Sequence, residues 1–190
     1  MKKVLIDMDG VLADTLPLWL EYNQYNTGIK AELSDITHWA MHECPVYAGV
    51  GKAILRDPLD NPNFWADIPP MEGALDFLAA LERKGVPYNI VTAPANAIST
   101  TGKYDWVKQH CPKALSKLVI TNDKASIRGE VLIDDRDKNV VDFFHGNPEA
   151  RMAIVPANSY QNLDLLKDLP VIITSRVPEW DTILFLLEQP

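Results

Sequence analysis

Asp7 and Asp9 flank a single methionine and are followed at once by Gly10, directly after the apolar run Val4-Leu5-Ile6. That run reads as a buried strand, and the glycine as the turn that ends it. Residues two apart on a strand share a face, so both carboxylates leave the strand end close together and pointing the same way. Like charges that close are costly unless a cation, a proton or a substrate group compensates. The pattern predicts a metal-assisted site at the start of this sequence.

Three more segments end in the same manner. Tyr88-Asn89-Ile90-Val91-Thr92 puts a hydroxyl at a strand end, and Ile120-Thr121-Asn122-Asp123-Lys124 puts a lysine just past one. Val131-Leu132-Ile133-Asp134-Asp135-Arg136 puts two acids at another. Alone, each has an ordinary reading, since an Asp pair after a strand is commonly a turn or a helix N-cap. Four such ends along one parallel sheet point to a shared site, because ligands of open α/β sheets bind beyond the C-terminal strand ends.

The elements that must position them follow from the periodicity. Strands are expected at 3–8, 88–92, 117–121, 130–133, 151–155 and 171–174, with helices at 73–84, 103–110 and 180–188. Over 73–84, Ala74, Leu75, Leu78 and Leu81 keep helical spacing, and Gly85 supplies a C-cap. Strands alternating with helices imply a three-layer, Rossmann-like α/β fold with a parallel sheet covered on both faces. The first crossover is anomalous, because about 80 residues separate the first strand from Tyr88 where one helix would suffice. Residues 15–70 hold seven aromatics, six prolines and helical stretches near 16–26 and 46–55, enough for a small inserted helical cap with a core of its own. The chain is expected to divide into a catalytic core, 1–14 and 71–190, and a cap, 15–70, hanging over the acidic pair.

Bulk composition narrows the partners. A chain of 190 residues suits one α/β core with an appendage. A net charge of −8 argues against a nucleic-acid polymer or an anionic membrane surface, since both want clustered Lys and Arg. A small anionic substrate stays open if its site is locally cationic. No apolar run is long enough to span a bilayer. Met1-Lys2-Lys3 leads straight into strand and acids rather than reading as a signal peptide, and the isolated Cys44 and Cys111 read as reduced thiols. A cytoplasmic protein is expected.

Taken together, the Asp-x-Asp-Gly-apolar run at 7–11, Thr92, Lys124 and the paired Asp134 and Asp135 resemble the signature of the haloacid dehalogenase (HAD) superfamily phosphatases. Within that superfamily, three features resemble the 5′(3′)-deoxyribonucleotidases: Asp7-Met8-Asp9-Gly10-Val11-Leu12-Ala13-Asp14, the triplet Asn122-Asp123-Lys124, and Leu132-Ile133-Asp134-Asp135-Arg136 starting eight residues after that lysine. The resemblance implies a Mg²⁺-dependent phosphomonoesterase of deoxyribonucleoside 5′(3′)-monophosphates, pyrimidines favoured, and leaves a homodimer open. It implies Asp7 as the nucleophile that forms an aspartyl-phosphate, and Asp9 as general acid and then base. Mg²⁺ would sit on the Asp7 carboxylate, the Asp9 carbonyl and Asp134, with Asp135 a ligand through water or an orienting acid. Thr92, Lys124 and the backbone N–H groups of Ala93 and Met8 would hold the phosphate. Two positions depart from the pattern: Ala93 stands where the nucleotidases often carry serine, and Asn122 where relatives carry arginine. A HAD phosphatase of a sugar phosphate or another small metabolite is the alternative. An inactive protein that binds such a metabolite is the alternative of another class, and the intact set Asp7, Asp9, Thr92, Lys124 and Asp134 counts against it.

Trp19, Phe64 and Trp65 are the cap aromatics placed to stack on a substrate base, the remainder being expected to fill the cap's own core. His38-x3-His42-x-Cys44 lacks a fourth zinc ligand and reads as a surface turn. The segment from Asp135 lacks the glycine and closing glutamate of an EF-hand loop. Gly49-Val50-Gly51-Lys52 lacks the leading glycine and the Ser/Thr of a P-loop and reads as a helix start. Asp14 reads as a residue that caps or orients the first helix rather than doing chemistry.

Overall fold

The computed structural model describes residues 3–189. Met1 and Lys2, the first part of the stretch read above as no signal peptide, lie outside the described residues, as does Pro190. Six strands, β1 (Val4–Ile6), β2 (Tyr88–Thr92), β3 (Leu118–Ile120), β4 (Val131–Ile133), β5 (Met152–Pro156) and β6 (Val171–Thr174), form one sheet in the order β3-β2-β1-β4-β5-β6. Every pairing is parallel. The central strands are buried on both faces, and their alternation decides the register. Val4 and Ile6 of β1 join Val131 and Ile133 of β4 in one apolar core, while Leu5 and Leu132 enter the other. A slip of one residue would send each set into the wrong layer.

The described residues include seven α-helices, α1 (Thr15–Thr27), α2 (Lys52–Arg56), α3 (Pro62–Asp67), α4 (Ala74–Lys84), α5 (Ala97–His110), α6 (Asp137–Gly146) and α7 (Trp180–Glu188), of which α2 stands apart from the sheet. Trp65, Phe77, Trp106 and Ile183, from α3, α4, α5 and α7, fill one layer, and Val140 and Phe143 of α6 fill the other. This is the expected three-layer α/β fold. Among the described residues, no helix is long and apolar enough to cross a membrane.

Four elements differ from the periodicity. Helix α5 starts at Ala97, not at 103, because Asn96 and Ser99 form a reciprocal capping box, with Asn96 Oδ1 accepting from Ser99 N at 2.7 Å. The weak helix formers Ser99-Thr100-Thr101-Gly102 conceal that first turn in the sequence. The stretch 46–55 is not one helix: a 3₁₀ turn at Pro45–Tyr47 and α2 are separated by Gly49, whose φ of +85° no helix accommodates. Helices α3 and α6 have no counterpart among the expected helices, α3 being too short at six residues to show a period and the start of α6 being masked by the acids that precede it.

Residues 15–70 contribute to two cores. Leu20, Ile36, Met41, Tyr47 and Leu55 make a cluster apart from the sheet, whereas Phe64 and Trp65 of α3 join the main core. A Cβ at Gly102 would stand 2.4 Å from Trp65 Cγ, so α5 runs directly against α3. The β5–β6 connection reaches the same segment, with Ser159 Oγ 2.9 Å from the carbonyl oxygens of both Leu33 and Ile36.

Candidate active site

Chain order reverses across β1 and β4, since β2 and β3 were laid down on one side of β1 and β4 on the other. A crevice at the C-terminal strand ends opens at such a switch point. Asp7 leaves β1 there and Asp134 leaves β4, with Asp7 N–H still donating to Ile133 O at 2.8 Å. The acidic loop then turns tightly: Leu12 N and Ala13 N both donate to Met8 O, at 2.9 and 2.8 Å. Gly10 allows the turn, with φ at +72° and its Cα against Asp135. A Cβ there would lie 2.3 Å from Asp135 Oδ2. Gly10→Ala is therefore expected to cost about 1–3 kcal/mol of stability, from strained backbone alone, and to lower turnover by displacing Asp135. Thermal denaturation beside steady-state rates checks this, and an unchanged rate would contradict it.

Asp7, Asp134 and Asp135 are all buried, and one carboxylate oxygen from each lies within 4.8 Å of the others. Among the described residues they are the group of His, Cys, Asp and Glu side chains able to hold a cation. Lys124 reaches into them from beyond β3, with Nζ 2.8 Å from Asp7 Oδ1 and 2.9 Å from Asp134 Oδ2. Burial pushes Asp7 up to about 7; Lys124 works against that rise, and the charges of Asp134 and Asp9 add to it. Burial and the neighbouring Asp7 and Asp134 push Asp135 well above the usual carboxylate range. Burial alone would depress Lys124, but Asp134 and Asp7 reverse this and hold it above its ordinary value. One lysine therefore faces three buried acids, and the local charge is deficient in cations.

The two acids after β4 are not equivalent. Asp134 Oδ1 accepts from Arg136 N and Asn139 Nδ2 at 3.0 Å each, and Oδ2 accepts from Asn139 and Lys124. Its lone pairs are filled. Asp135 Oδ2 accepts from the Tyr160 hydroxyl, while its buried Oδ1 has no partner.

Lys103 is a residue that the sequence reading missed as a site candidate. It lies in α5 and is 1% exposed, yet its ammonium donates to Asp9 Oδ2 and, at 2.8 Å, to Thr92 Oγ1. Thr15 Oγ1 holds the other Asp9 oxygen at 3.2 Å. Its one sequence signal is a lysine at the helical position that should face the sheet, as Trp106 and Val107 do one turn later. Thr92 itself is fully buried beneath the site, with its hydroxyl directed to Lys103.

Two adjoining cavities meet over the acids. The smaller, about 210 Å³, is polar and is lined by Asp7, Lys124, Arg136 and Asn139. The larger, about 410 Å³, is lined by Trp19, Trp65, Leu55 and Tyr160 among others. Asp9, Ala93 and Trp39 line both. Trp19 and Trp65 donate their indole N–H groups to Leu55 O and Leu59 O, at 2.8 and 3.1 Å, which leaves their rings to the cavity. Phe64 does not reach it: the ring is fully buried, edge-on to Trp19, Tyr22 and Trp65, because α3 turns that side into the core. Trp39 lines both cavities through a loop that periodicity does not mark, beneath the Arg136 guanidinium 4.5 Å from its ring.

The remaining sequence candidates resolve as structure. Asp14 stands at the N-cap of α1 but makes no side-chain cap; its carboxylate pairs with Arg176 instead. Cys44 Sγ lies 3.5 Å from His38 O, and the His38, His42 and Cys44 side chains form no ligand cluster among the described residues. Gly51 caps α2 as a helix start.

Comparisons agree with this geometry. Residues 1–163 match the model of the family described as 5′ nucleotidase, deoxy (pyrimidine), cytosolic type C protein. The human cytosolic-type 5′(3′)-deoxyribonucleotidase is 31% identical over 150 residues, covering 71% of each chain. The 5′(3′)-deoxyribonucleotidase of Bacillus subtilis is 32% identical over 146 residues, covering 75% of this chain and 81% of that one. A HAD family hydrolase from Deinococcus radiodurans, solved with bound phosphate and sodium, shares the fold with a TM-score of 0.64 at 14% identity, over 98% of this chain and 95% of that one. The chain thus belongs to the cytosolic type C 5′-nucleotidase family and is, with that family, a phosphoric monoester hydrolase built on the HAD fold.

Proposed function

We propose that the chain is a Mg²⁺-dependent phosphomonoesterase that hydrolyses deoxyribonucleoside 5′(3′)-monophosphates, pyrimidines favoured, to nucleoside and phosphate. The observation that carries this reading is the pair of adjoining cavities with Asp9 in the wall of both. The small polar cavity suits a phosphate, the large tryptophan-lined one a planar leaving group, and Asp9 stands at the bond between them. Trp19, Trp39 and Trp65 give the larger cavity flat apolar walls that suit a base better than the hydroxyl-covered ring of a sugar phosphate. Residues 15–70 act as the cap that selects the ester.

Asp7 is the nucleophile. Met8 N–H and Lys124 both hold its Oδ1, at 2.7 and 2.8 Å, and leave Oδ2 to attack phosphorus. The P–O bond to the nucleoside breaks as the new bond forms, and Asp9 gives the departing oxygen its proton. Asp9 then takes a proton from the water that releases phosphate and regenerates Asp7. Lys124 and the Ala93 backbone border the transferred group, with Lys103 holding Asp9 in line. Thr92, expected from the sequence to hold the phosphate, is fully buried with its hydroxyl accepting from Lys103, and so acts through that lysine.

The buried acids fit a divalent metal, since carboxylate oxygens of Asp7, Asp134 and Asp135 lie within 4.8 Å of one another and Asp135 Oδ1 has no hydrogen-bond partner. Asp7, the Asp9 carbonyl and Asp135 would hold it. This reverses the expected roles of the two acids after β4, because the Asp134 oxygens already accept from Arg136, Asn139 and Lys124 whereas Asp135 Oδ1 accepts from none. Bound there, Mg²⁺ would supply positive charge to the phosphate oxygens and keep Asp7 ionised.

The test is phosphate release from an aryl phosphate, from deoxy- and ribonucleoside monophosphates, and from sugar phosphates, each with Mg²⁺ and with chelator. Release should require Mg²⁺ and be fastest for the deoxypyrimidine nucleotides. Equal or faster release from sugar phosphates would overturn the nucleotide reading, and none from any ester would overturn the enzymatic one.

A further inference from the structure

The larger cavity has cations that the reaction above does not use. Lys103 is occupied by Asp9 and Thr92. Lys52 and Arg56 line the same cavity from α2, one turn apart and so on one helix face. Like charges at that spacing repel. The acids that would ordinarily relieve them are turned elsewhere: Asp57 accepts from Asn26 Nδ2 at 3.4 Å, and Asp60 accepts from Asn96 Nδ2. Asp60 stands one turn beyond Arg56, the natural place for an ion pair, yet it is directed to α5. A chain with net charge −8 thus leaves two cations without an acidic partner among the described residues, on the wall of its larger cavity. Leu55, between them, is buried in the cap cluster and fixes which way the helix faces.

We propose that Lys52 and Arg56 form a second anion subsite, and that the preferred ester carries a second phosphate, as a deoxyribonucleoside 3′,5′-bisphosphate does. This rests on the nucleotidase reading. One phosphate occupies the small cavity against Asp7 and Lys124, the nucleoside fills the tryptophan-lined space, and the other phosphate meets the α2 pair. Hydrolysis adds one water across the ester bond in the small cavity and yields inorganic phosphate and a nucleoside monophosphate. Arginine offers a planar fork to phosphate and lysine a point charge, a mixed pair suited to a tetrahedral dianion.

The experiment measures KM and kcat for a deoxynucleoside 3′,5′-bisphosphate and the matching 5′-monophosphate, with Mg²⁺, in the unaltered enzyme and in the K52Q/R56Q double variant. Both side chains are exposed, so the variant folds. The unaltered enzyme should show a KM at least tenfold lower for the bisphosphate, about 1.4 kcal/mol of added binding. In the double variant that advantage should vanish, with KM for the monophosphate moving less than threefold. Equal KM values in the unaltered enzyme, or an advantage that survives the double substitution, would overturn the subsite and leave the nucleotidase reading standing. Cleavage of an aryl phosphate with neither nucleotide hydrolysed would remove the nucleotidase reading and this inference with it.

Discussion

Asp7→Asn is expected to lower turnover by roughly 10⁴-fold or more, about 5.5 kcal/mol of transition-state stabilisation, while leaving the protein folded. The amide is nearly isosteric and keeps an oxygen to accept from Met8 N–H, but it cannot form the acyl phosphate that a carboxylate forms. Stability should barely move, because two effects oppose. Burial pushes Asp7 up to about 7, so the folded protein holds this charge reluctantly and gains from losing it. Lys124 loses one of its two acidic partners, yet Asp134 remains 2.9 Å away. Substitution of a buried acid is usually read through its stability; here the two readouts should separate. Phosphate release beside a melting curve checks it, and substantial residual turnover would remove the covalent scheme.

The reason that one short motif carries so much is visible in the sheet. Strand ends are legible from sequence because apolar runs of β1, β2 and β4 stop abruptly at polar residues, and a parallel sheet must gather those ends on one edge. Asp7, Thr92, Lys124 and Asp134 were therefore placeable without knowing any contact. The segment 15–70 was legible only as an excess of chain. Its aromatics do not reveal which ring faces inward: Phe64 and Trp65 are sequence neighbours, yet one is sealed in the core and the other lines the cavity. Helix α3 makes that choice by packing on Gly102, a contact between distant segments that no local pattern encodes. Trp39 and Tyr160 were hidden for the same reason. They meet edge-to-face, 5.4 Å apart, across 121 positions of chain, and Tyr160 reaches Asp135 from the β5–β6 connection.

Lys103→Met should have the second-largest effect, and its pattern across substrates matters more than its size. The ammonium is buried between Asp9 and Thr92, so its loss removes a donor from both. Asp9 is the more consequential partner, because a carboxyl group that delivers a proton must point at the departing oxygen. Without Lys103, Thr15 Oγ1 alone holds Asp9, at 3.2 Å, and the side chain is free to turn toward solvent. General acid–base catalysis contributes about 10²–10⁴-fold, and misalignment should forfeit much of it for a nucleoside leaving group. A nitrophenolate needs little protonation to leave, so the aryl phosphate rate should fall by a far smaller factor. A purely structural role predicts the opposite, an equal loss on both esters that follows the fraction of folded protein. Methionine matches the lysine stem in length and packs against Trp65, whose ring centroid lies 5.2 Å from the ammonium, so the helix should stay in place. Lys103→Arg should recover part of the nucleotide rate by restoring a donor to Asp9. Equal losses on the two esters in Lys103→Met, with no recovery in Lys103→Arg, would show that Lys103 supports the fold and not the proton donor.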